Sequence, residues 1–268
     1  MTEKEYRQHE GISRSQLWKI RESPEKCKYA MEHPEEPTPA LLFGTMVHKL
    51  VLDPDTFDEE FIVAPEVDRR TMEGKVVWAQ FNECAAGRQI VKLADFQKAQ
   101  EMVEALQAVP MIQTLLAGRH EVPLFWTDEQ TGEQCKVRLD ILHEMGDRLL
   151  IVDYKSANDA TTESFIRSAN NYGYDFQAGM YEEGTRQNYG DRKIDFLFVV
   201  QEKEPPYASN ILRADERFMQ RGFEVFRELI GIYHYCKESG NWYGYLGPDD
   251  MLNTLSLPAW LAKDDQEQ

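Results

Sequence analysis

Apolar residues recur along this chain with two periods, and the switches between them predict the order of elements. GISRSQLWKIRESPEKCKYAMEH reads as a helix opened by Ser13, a Ser-Pro break and a second helix from Pro24. EEPTPA is a linker. ALLFGTMVHKLVL is an apolar helix that Asp53-Pro54 ends. FIVAPE is a short strand or extended segment, and VDRRTMEGKVVWAQF passes from a basic loop into a helix. Residues 93–117 keep helical periodicity, interrupted at Pro110.

The period then shortens to two. EVPLFWTDEQTGEQCKVRLDIL reads as two strands around a Thr-Gly turn, and RLLIVDYKS as the third strand of a meander. SFIRSANNYGYDFQAGMYEEGTRQNYG is mainly helical, with a glycine near its start. KIDFLFVVQEK is an apolar strand bounded by Pro205-Pro206. ADERFMQRGFEVFRELIGIYHYCKESG is a long amphipathic helix ended by Gly240. The rest is irregular. The reading is one domain over residues 1–262 and a frayed acidic tail over 263–268. A helix, a three-strand meander, a helix and a further strand make an α/β layout with a mixed sheet.

Composition narrows this picture. The 268 residues are 42% hydrophobic and 11% aromatic, enough for one large packed domain. No apolar run is long enough for a transmembrane helix, and MTEKEYRQHEG lacks the apolar middle of a signal peptide. Cytoplasmic residence is the expectation. Cys27, Cys84, Cys135 and Cys236 are far apart with no CxxC pair, so reduced, mostly buried thiols are expected. The net charge of −17 argues against a broad basic surface that coats nucleic acid. It leaves room for DNA contacts confined to a groove, and a bound cation reverses the local sign.

The candidate chemistry sits in LDILHEMGDRLLIVDYKS, residues 139–156. Asp140 lies near the end of one apolar-alternating segment, and Asp153-Tyr154-Lys155 ends the next. Strand side chains repeat every two residues, so Asp153 and Lys155 share a face. A hairpin through HEMGDR brings Asp140 beside them. Two carboxylates can hold Mg²⁺, which keeps several waters and takes further oxygens from a substrate phosphate. The lysine is a point charge for water or phosphate oxygens. The ordinary alternative is a surface Asp-Lys pair at a strand end.

Other candidates are weaker one by one. His48 interrupts an apolar helix one turn after Gly44, which would let substrate or backbone approach closely. It is either a hydrogen-bonded core residue or a metal ligand. Gln177 and Tyr181, spaced i and i+4, share a helix face and can bond a phosphate or a catalytic side chain. Glu121 starts the first meander strand and can hold water or a second metal. Arg69, Arg70 and Lys75 cluster in a loop able to grip phosphates. Trp242, Tyr243 and Tyr245 suit core or subunit packing better than DNA stacking.

Taken in order, GTMVHKL (His48), VRLDIL (Asp140), VDYKS (Asp153, Lys155) and QAGMY (Gln177, Tyr181) resemble the RecB-like branch of the PD-(D/E)xK nuclease superfamily. Within that branch the chain is most similar to RecE-type exonucleases (exonuclease VIII). The likeness runs nearly end to end, through ISRSQL, GTMVHKLVLDPDTF, FIVAPEVDRRTMEGK and LNTLSLPAW.

The resemblance implies a restriction-endonuclease-like core, a mixed central sheet flanked by helices, with helical elaborations at both termini. It implies a Mg²⁺-dependent exonuclease, with Mn²⁺ able to substitute, that digests linear double-stranded DNA from 5′ to 3′. Such an enzyme releases 5′ mononucleotides and leaves a 3′ single-stranded tail for recombination by strand annealing. A ring-shaped homotetramer and a single-strand annealing partner of the RecT type are implied as well. Asp140, Asp153, the Tyr154 carbonyl and His48 would hold the metal. If there are two metals, they would lie about 3.5–4 Å apart. Lys155 would orient or help deprotonate water, Gln177 and Tyr181 would position Lys155 or the strand end, and Arg69, Arg70 and Lys75 would touch DNA. Some relatives carry a four-cysteine iron–sulfur cluster. Here only Cys27 lies near an expected ligand position, so no cluster is expected. The rival readings are an endonuclease on the same scaffold and a non-catalytic DNA-end-binding recombination protein.

Overall fold

Local capping fixes most helix boundaries. Ser23 and Asp215 each accept a backbone N–H bond from the first turn of the helix they open, and Gly240 ends the last helix in a left-handed conformation. A computed structural model of the chain describes residues 1, 3–33, 37–249 and 251–257. In chain order the elements begin with α1 (Glu3–Gln8), β1 (Ile12–Ser13), α2 (Arg14–Ile20), α3 (Pro24–Glu32), α4 (Pro39–Leu52) and the short α5 (Phe57–Glu60). Next come β2 (Phe61–Ala64), α6 (Met72–Ala85), β3 (Gln89–Lys92), α7 (Leu93–Gln107) and α8 (Pro110–Leu116). The meander is β4 (Arg119–Thr127), β5 (Gln134–Met145) and β6 (Arg148–Ala157). The chain continues through α9 (Thr162–Tyr172), α10 (Tyr174–Tyr189), β7 (Lys193–Glu202), β8 (Ser209–Arg213) and α11 (Glu216–Ser239).

The central sheet runs β1-β5-β6-β7-β8, with β4 also paired to β5. β4, β5 and β6 are antiparallel, β6 and β7 are parallel, and β8 returns antiparallel. The sheet is therefore mixed, as the period pattern predicts. One face packs Leu149, Ile151, Phe196 and Phe198 against Leu17 of α2, Phe176 of α10 and Phe226 of α11. The other packs Val152, Tyr154 and Val199 against Met46 and Val47 of α4, Met102 of α7 and Ile112 of α8. Apolar residues on both faces explain why LLIVDY reads as a continuous run.

β5 departs from regular alternation near its middle. Val137 and Leu139 face the α10 layer, Ile141 faces the α4 layer, and Leu142 returns to the first. The residue between is Asp140. Across from it on β4, between the pairs His120↔Ile141 and Val122↔Leu139, stands Glu121 with φ +50°. A non-glycine side chain in the left-handed region stores strain, which persists only where its surroundings enforce it. On its other edge β5 pairs with β1 at Cys135 and Lys136, and with β6 only from Ile141 onward. Between those points the strands form a fork, and Asp140 sits at its apex.

Several expectations change. Asp140 is mid-strand, because β5 continues to Met145 before the Gly146 turn. The FIVAPE strand is present as β2, whereas β1, β3, β8 and the parallel pairing of β2 with β3 go beyond the local pattern, since each short strand is defined by its partner. Gly44 is not a close-approach site: a Cβ there would come no nearer than 3.8 Å to Ser156 Oγ. Cys27, Cys135 and Cys236 are buried free thiols, while Cys84 is exposed. Glu35 and Glu36 of the EEPTPA linker and the acidic tail at 263–268 lie outside the described residues. Among the described residues no helix is long and apolar enough to cross a membrane.

α10 and α11 touch backbone to backbone. A Cβ on Gly222 would lie 1.8 Å from the Asp175 carbonyl oxygen, and one on Gly179 would lie 2.3 Å from the Gly222 carbonyl carbon. Gly222→Ala should therefore force the helices apart, costing about 1–3 kcal/mol. Thermal unfolding followed by circular dichroism should show Tm falling by roughly 4–10 °C. An unchanged Tm would show that this crossing does not constrain the fold.

Candidate active site

The fork brings groups from five elements together: β4, β5, β6, α4 and α10. Asp140 Oδ2 accepts the Tyr154 backbone N–H at 2.9 Å, which bridges the open strands with a side chain where the ladder has ended. In an extended strand the N–H and C=O of one residue point to the same edge, so the Tyr154 carbonyl also faces the fork. The Tyr154 ring lies on the opposite layer, and its hydroxyl donates to Gln201 Oε1 at 2.7 Å. α4 supplies His48, whose Nε2 is 3.0 Å from Asp140 Oδ2 and whose Nδ1 is 3.6 Å from Glu121 Oε1. Arg138, two residues before Asp140, holds the other Glu121 oxygen at 2.5 Å.

Asp153 and Lys155 share the α10-facing side of β6, as the two-residue period requires. Asp153 is fully buried. Gln177 of α10 donates its side-chain amide to Asp153 Oδ1. Lys155 Nζ lies 2.5 Å from Asp153 Oδ2 as an ion pair, yet no well-directed hydrogen bond reaches that oxygen. Tyr181, one helical turn beyond Gln177, sits partly buried against Phe196, with ring centroids 6.4 Å apart. It feels both carboxylates electrostatically, and together with burial they raise its hydroxyl well above the ordinary phenol value.

The two aspartates are pushed in opposite directions. Burial raises Asp140, but His48, Lys155 and the Tyr154 N–H outweigh it and hold the carboxyl below its usual range. Burial pushes Asp153 up to about 6; Lys155 opposes the rise and the nearby Asp140 charge adds to it. Burial would lower His48, yet Asp140 and Glu121 leave it above its ordinary value. Burial also works against the Lys155 ammonium, and Asp153 and Asp140 more than restore it. Without a metal, Lys155 is a cation, suited to holding water or phosphate oxygens and not to removing a proton.

The donor set fits a hard divalent cation. Ligand atoms of His48, Glu121 and Asp140 all lie within 4.8 Å of one another. The set is carboxylate-rich with one imidazole, which suits Mg²⁺ or Mn²⁺ better than a thiolate-seeking metal. The undirected lone pair on Asp153 Oδ2 is a further oxygen for such an ion. Asp153 is not part of the three-residue group; Gln177 engages its Oδ1, and Lys155 lies beside its Oδ2.

Two clefts meet here. One, of about 730 Å³, is lined by Arg7, Arg14, Lys19, Lys136 and Arg138, with Asp140 its sole carboxylate among the described residues. The other, of about 570 Å³, exposes His48 and Glu121 beside Glu5, Asp53, Glu59 and Glu60. Arg69, Arg70 and Lys75 line neither. Arg69 stacks on Trp78 at 3.1 Å from the ring centroid, and Arg70 is exposed beside Asp68. Trp242 packs edge-on against Tyr233, whereas Tyr245 is exposed beneath Lys26. Arg138 was legible from the two-residue rule that pairs Asp153 with Lys155. Arg14 lies in the ISRSQL segment, but no local pattern separates it from a surface arginine.

A mixed sheet forked at paired carboxylates, with a lysine beside them, is the arrangement of a PDDEXK-like domain. The profile of the PDDEXK-like domain of unknown function (DUF3799) matches residues 13–252, and the chain belongs to this family. No curated protein matches the sequence. Among solved structures, a "Putative exonuclease" from Eubacterium rectale superposes with a TM-score of 0.61 at 15% identity, covering 100% of this chain and 99% of its own. That likeness is one of fold. The structure of SSO0001 aligns over 89% of this chain and 96% of its own, at 11% identity and a TM-score of 0.29.

The protonation pattern fixes two outcomes. Metal binding must displace protons from His48 and Asp153, so Mn²⁺ affinity measured by calorimetry should weaken as pH falls, first as His48, raised above its ordinary value, takes up its proton and further as Asp153 does so near 6. Titrations in buffers of different ionisation enthalpy should show the released protons, and pH-independent affinity would contradict the assignment. Asp153 is raised in the fold, so its charge destabilises the metal-free protein above pH 6, and this cost is relieved as pH drops toward the unfolded value. Asp153→Asn should therefore raise the metal-free Tm at pH 8. A lowered Tm would show that the Lys155 pairing outweighs burial.

Proposed function

We propose that this protein is a divalent-metal-dependent exodeoxyribonuclease of the RecE type, acting on linear double-stranded DNA ends. The convergence of Asp140, Asp153 and Lys155 at the β5–β6 fork, with His48 and Gln177 supplied from helices, carries this reading. The description of the Eubacterium rectale protein accords with it. The same resemblance suggests 5′-to-3′ digestion, release of 5′ mononucleotides, a 3′ tail, a ring tetramer and an annealing partner of the RecT type, in the cytoplasm.

In this reading Asp140, Asp153, Glu121, His48 and the Tyr154 carbonyl are the groups available to one or two Mg²⁺ ions. When bound, the metal supplies Lewis-acid stabilisation of phosphate charge and lowers the pKa of a bound water. The chain's own groups do the rest. Lys155 holds the attacking water or a phosphate oxygen by charge. Gln177 fixes the Asp153 carboxylate, and the amide must present its nitrogen, since an ionised carboxylate only accepts. Arg138 fixes Glu121. The cationic cleft takes the sugar–phosphate backbone, which explains how an acidic protein handles DNA: the local sign opposes the net charge. Arg7 and Lys19, which line that cleft, join Arg69, Arg70 and Lys75 as proposed DNA contacts, with Arg14 and Arg138 adding positive charge behind them.

The test is digestion of end-labelled linear duplex with Mg²⁺. Wild type should release mononucleotides, leave covalently closed circles intact, and lose activity steeply as salt rises. Asp153→Asn and Lys155→Ala should each cost at least about 10²–10³ in rate while remaining folded. Nicking of closed circles would favour an endonuclease. Metal-independent mobility shifts without product would favour an end-binding protein. Near-wild-type rates in either variant would refute the assignment.

A further inference from the structure

A third cleft, of about 530 Å³, reaches Lys155, which lines neither of the other two, and its walls differ from theirs. They include Leu41, Lys155, Ser168, Tyr172, Tyr174 and Lys203, a mixture of aromatic faces, a hydroxyl and amines. Its size lies within the roughly 300–1,000 Å³ typical of small-molecule sites. Tyr174 lies 5.1 Å by its ring centroid from Lys155 Nζ. Tyr172 stands beside it, with centroids 5.9 Å apart and planes 33° from parallel.

One of the two rings is held from behind. Tyr174 packs on Phe165 at 5.5 Å and on Phe198 at 6.0 Å, which ties it to the sheet. Tyr172 is 59% exposed, so one large aromatic surface is left open to the cleft. The residue between them, Gly173, has φ +64°, and Trp18 packs so closely that a Cβ there would lie 2.3 Å from its ring. Arg14 donates to the carbonyls of both Tyr172 and Gly173. The α9–α10 turn is therefore clamped by α2, which fixes the backbone that carries both rings. A single exposed aromatic is ordinary. Two neighbouring rings, one against the Lys155 cation and the other open to the same cleft, are not.

We propose that Tyr172 and Tyr174 form a stacking platform for the nucleobase adjoining the scissile phosphate. The backbone of that nucleotide lies over Lys155 and its base turns into the third cleft. This rests on the nuclease reading above and adds to it where the base goes. Stacking of this kind accepts all four bases, because each has a π-face. The platform thus gives positional grip without sequence preference, as digestion from an arbitrary end requires.

The test uses the full chain, Mg²⁺ and two linear duplexes. One is ordinary; in the other the first two nucleotides of the digested strand are abasic. Wild type should show KM about 5- to 100-fold higher on the abasic duplex. Tyr172→Ala, at an exposed position that leaves Tm unchanged, should raise KM on the ordinary duplex by a similar factor and abolish the difference between the two. Tyr172→Phe, which keeps the ring, should behave as wild type. If Tyr172→Ala keeps wild-type KM on both duplexes while digesting them, the platform is refuted and the nuclease reading stands. If wild type digests neither duplex, the nuclease reading fails and the platform falls with it.

Discussion

The site depends on a separation of strands. β5 and β6 pair from Met145 back to Ile141, and there the ladder stops. The backbone groups beyond still need partners, since a buried N–H left unpaired is costly. Asp140 meets that need by accepting the Tyr154 N–H with its side chain. One carboxylate therefore closes a gap in the sheet and faces the cavity that the gap creates. The inverted alternation of β5 and the left-handed backbone of Glu121 lie at the same level, so the distortion is shared by neighbouring strands.

Helices on both faces then fill the fork from opposite sides. α4 brings His48 to Asp140, and α10 brings Gln177 to Asp153. α10 is not free to shift. It is locked to α11 where Gly179 and Gly222 allow backbone contact, and its N-terminal turn is held by Arg14 and Trp18. A site built on packed strands and helices keeps its groups oriented without relying on mobile loops.

The charges form a balanced but uncomfortable set. Two carboxylates, an imidazole and an ammonium share a mostly buried volume, and burial works against the charged form of each. Mutual pairing offsets this for Asp140, His48 and Lys155. It does not do so for Asp153, which stands near 6. Such a residue is a poor choice for stability alone and a good one for holding a cation. Around this core the cationic and acidic clefts meet at nearly the same point, giving a phosphate backbone one favourable approach.

Much of this was legible along the chain. Helix ends followed from local signals such as Ser23-Pro24 and Ser239-Gly240, because capping involves residues within one turn of each other. The meander, and the shared face of Asp153 and Lys155, followed from a two-residue period that the backbone enforces. What the local pattern left open was everything set by distant partners. β1 and β8 are too short to announce themselves and exist through pairing with β5 and β7. Arg14 looks like any surface arginine until it is seen to clamp a turn far along the sequence. Asp140 was placed near a strand end, when the strand in fact continues and its partner leaves. Periodicity and capping are properties of neighbouring residues, so the sequence determined the elements and the candidate ligands. The fork, the burial that tunes each charge and the clefts that meet there arise only when remote segments pack, and the tertiary structure alone decided them.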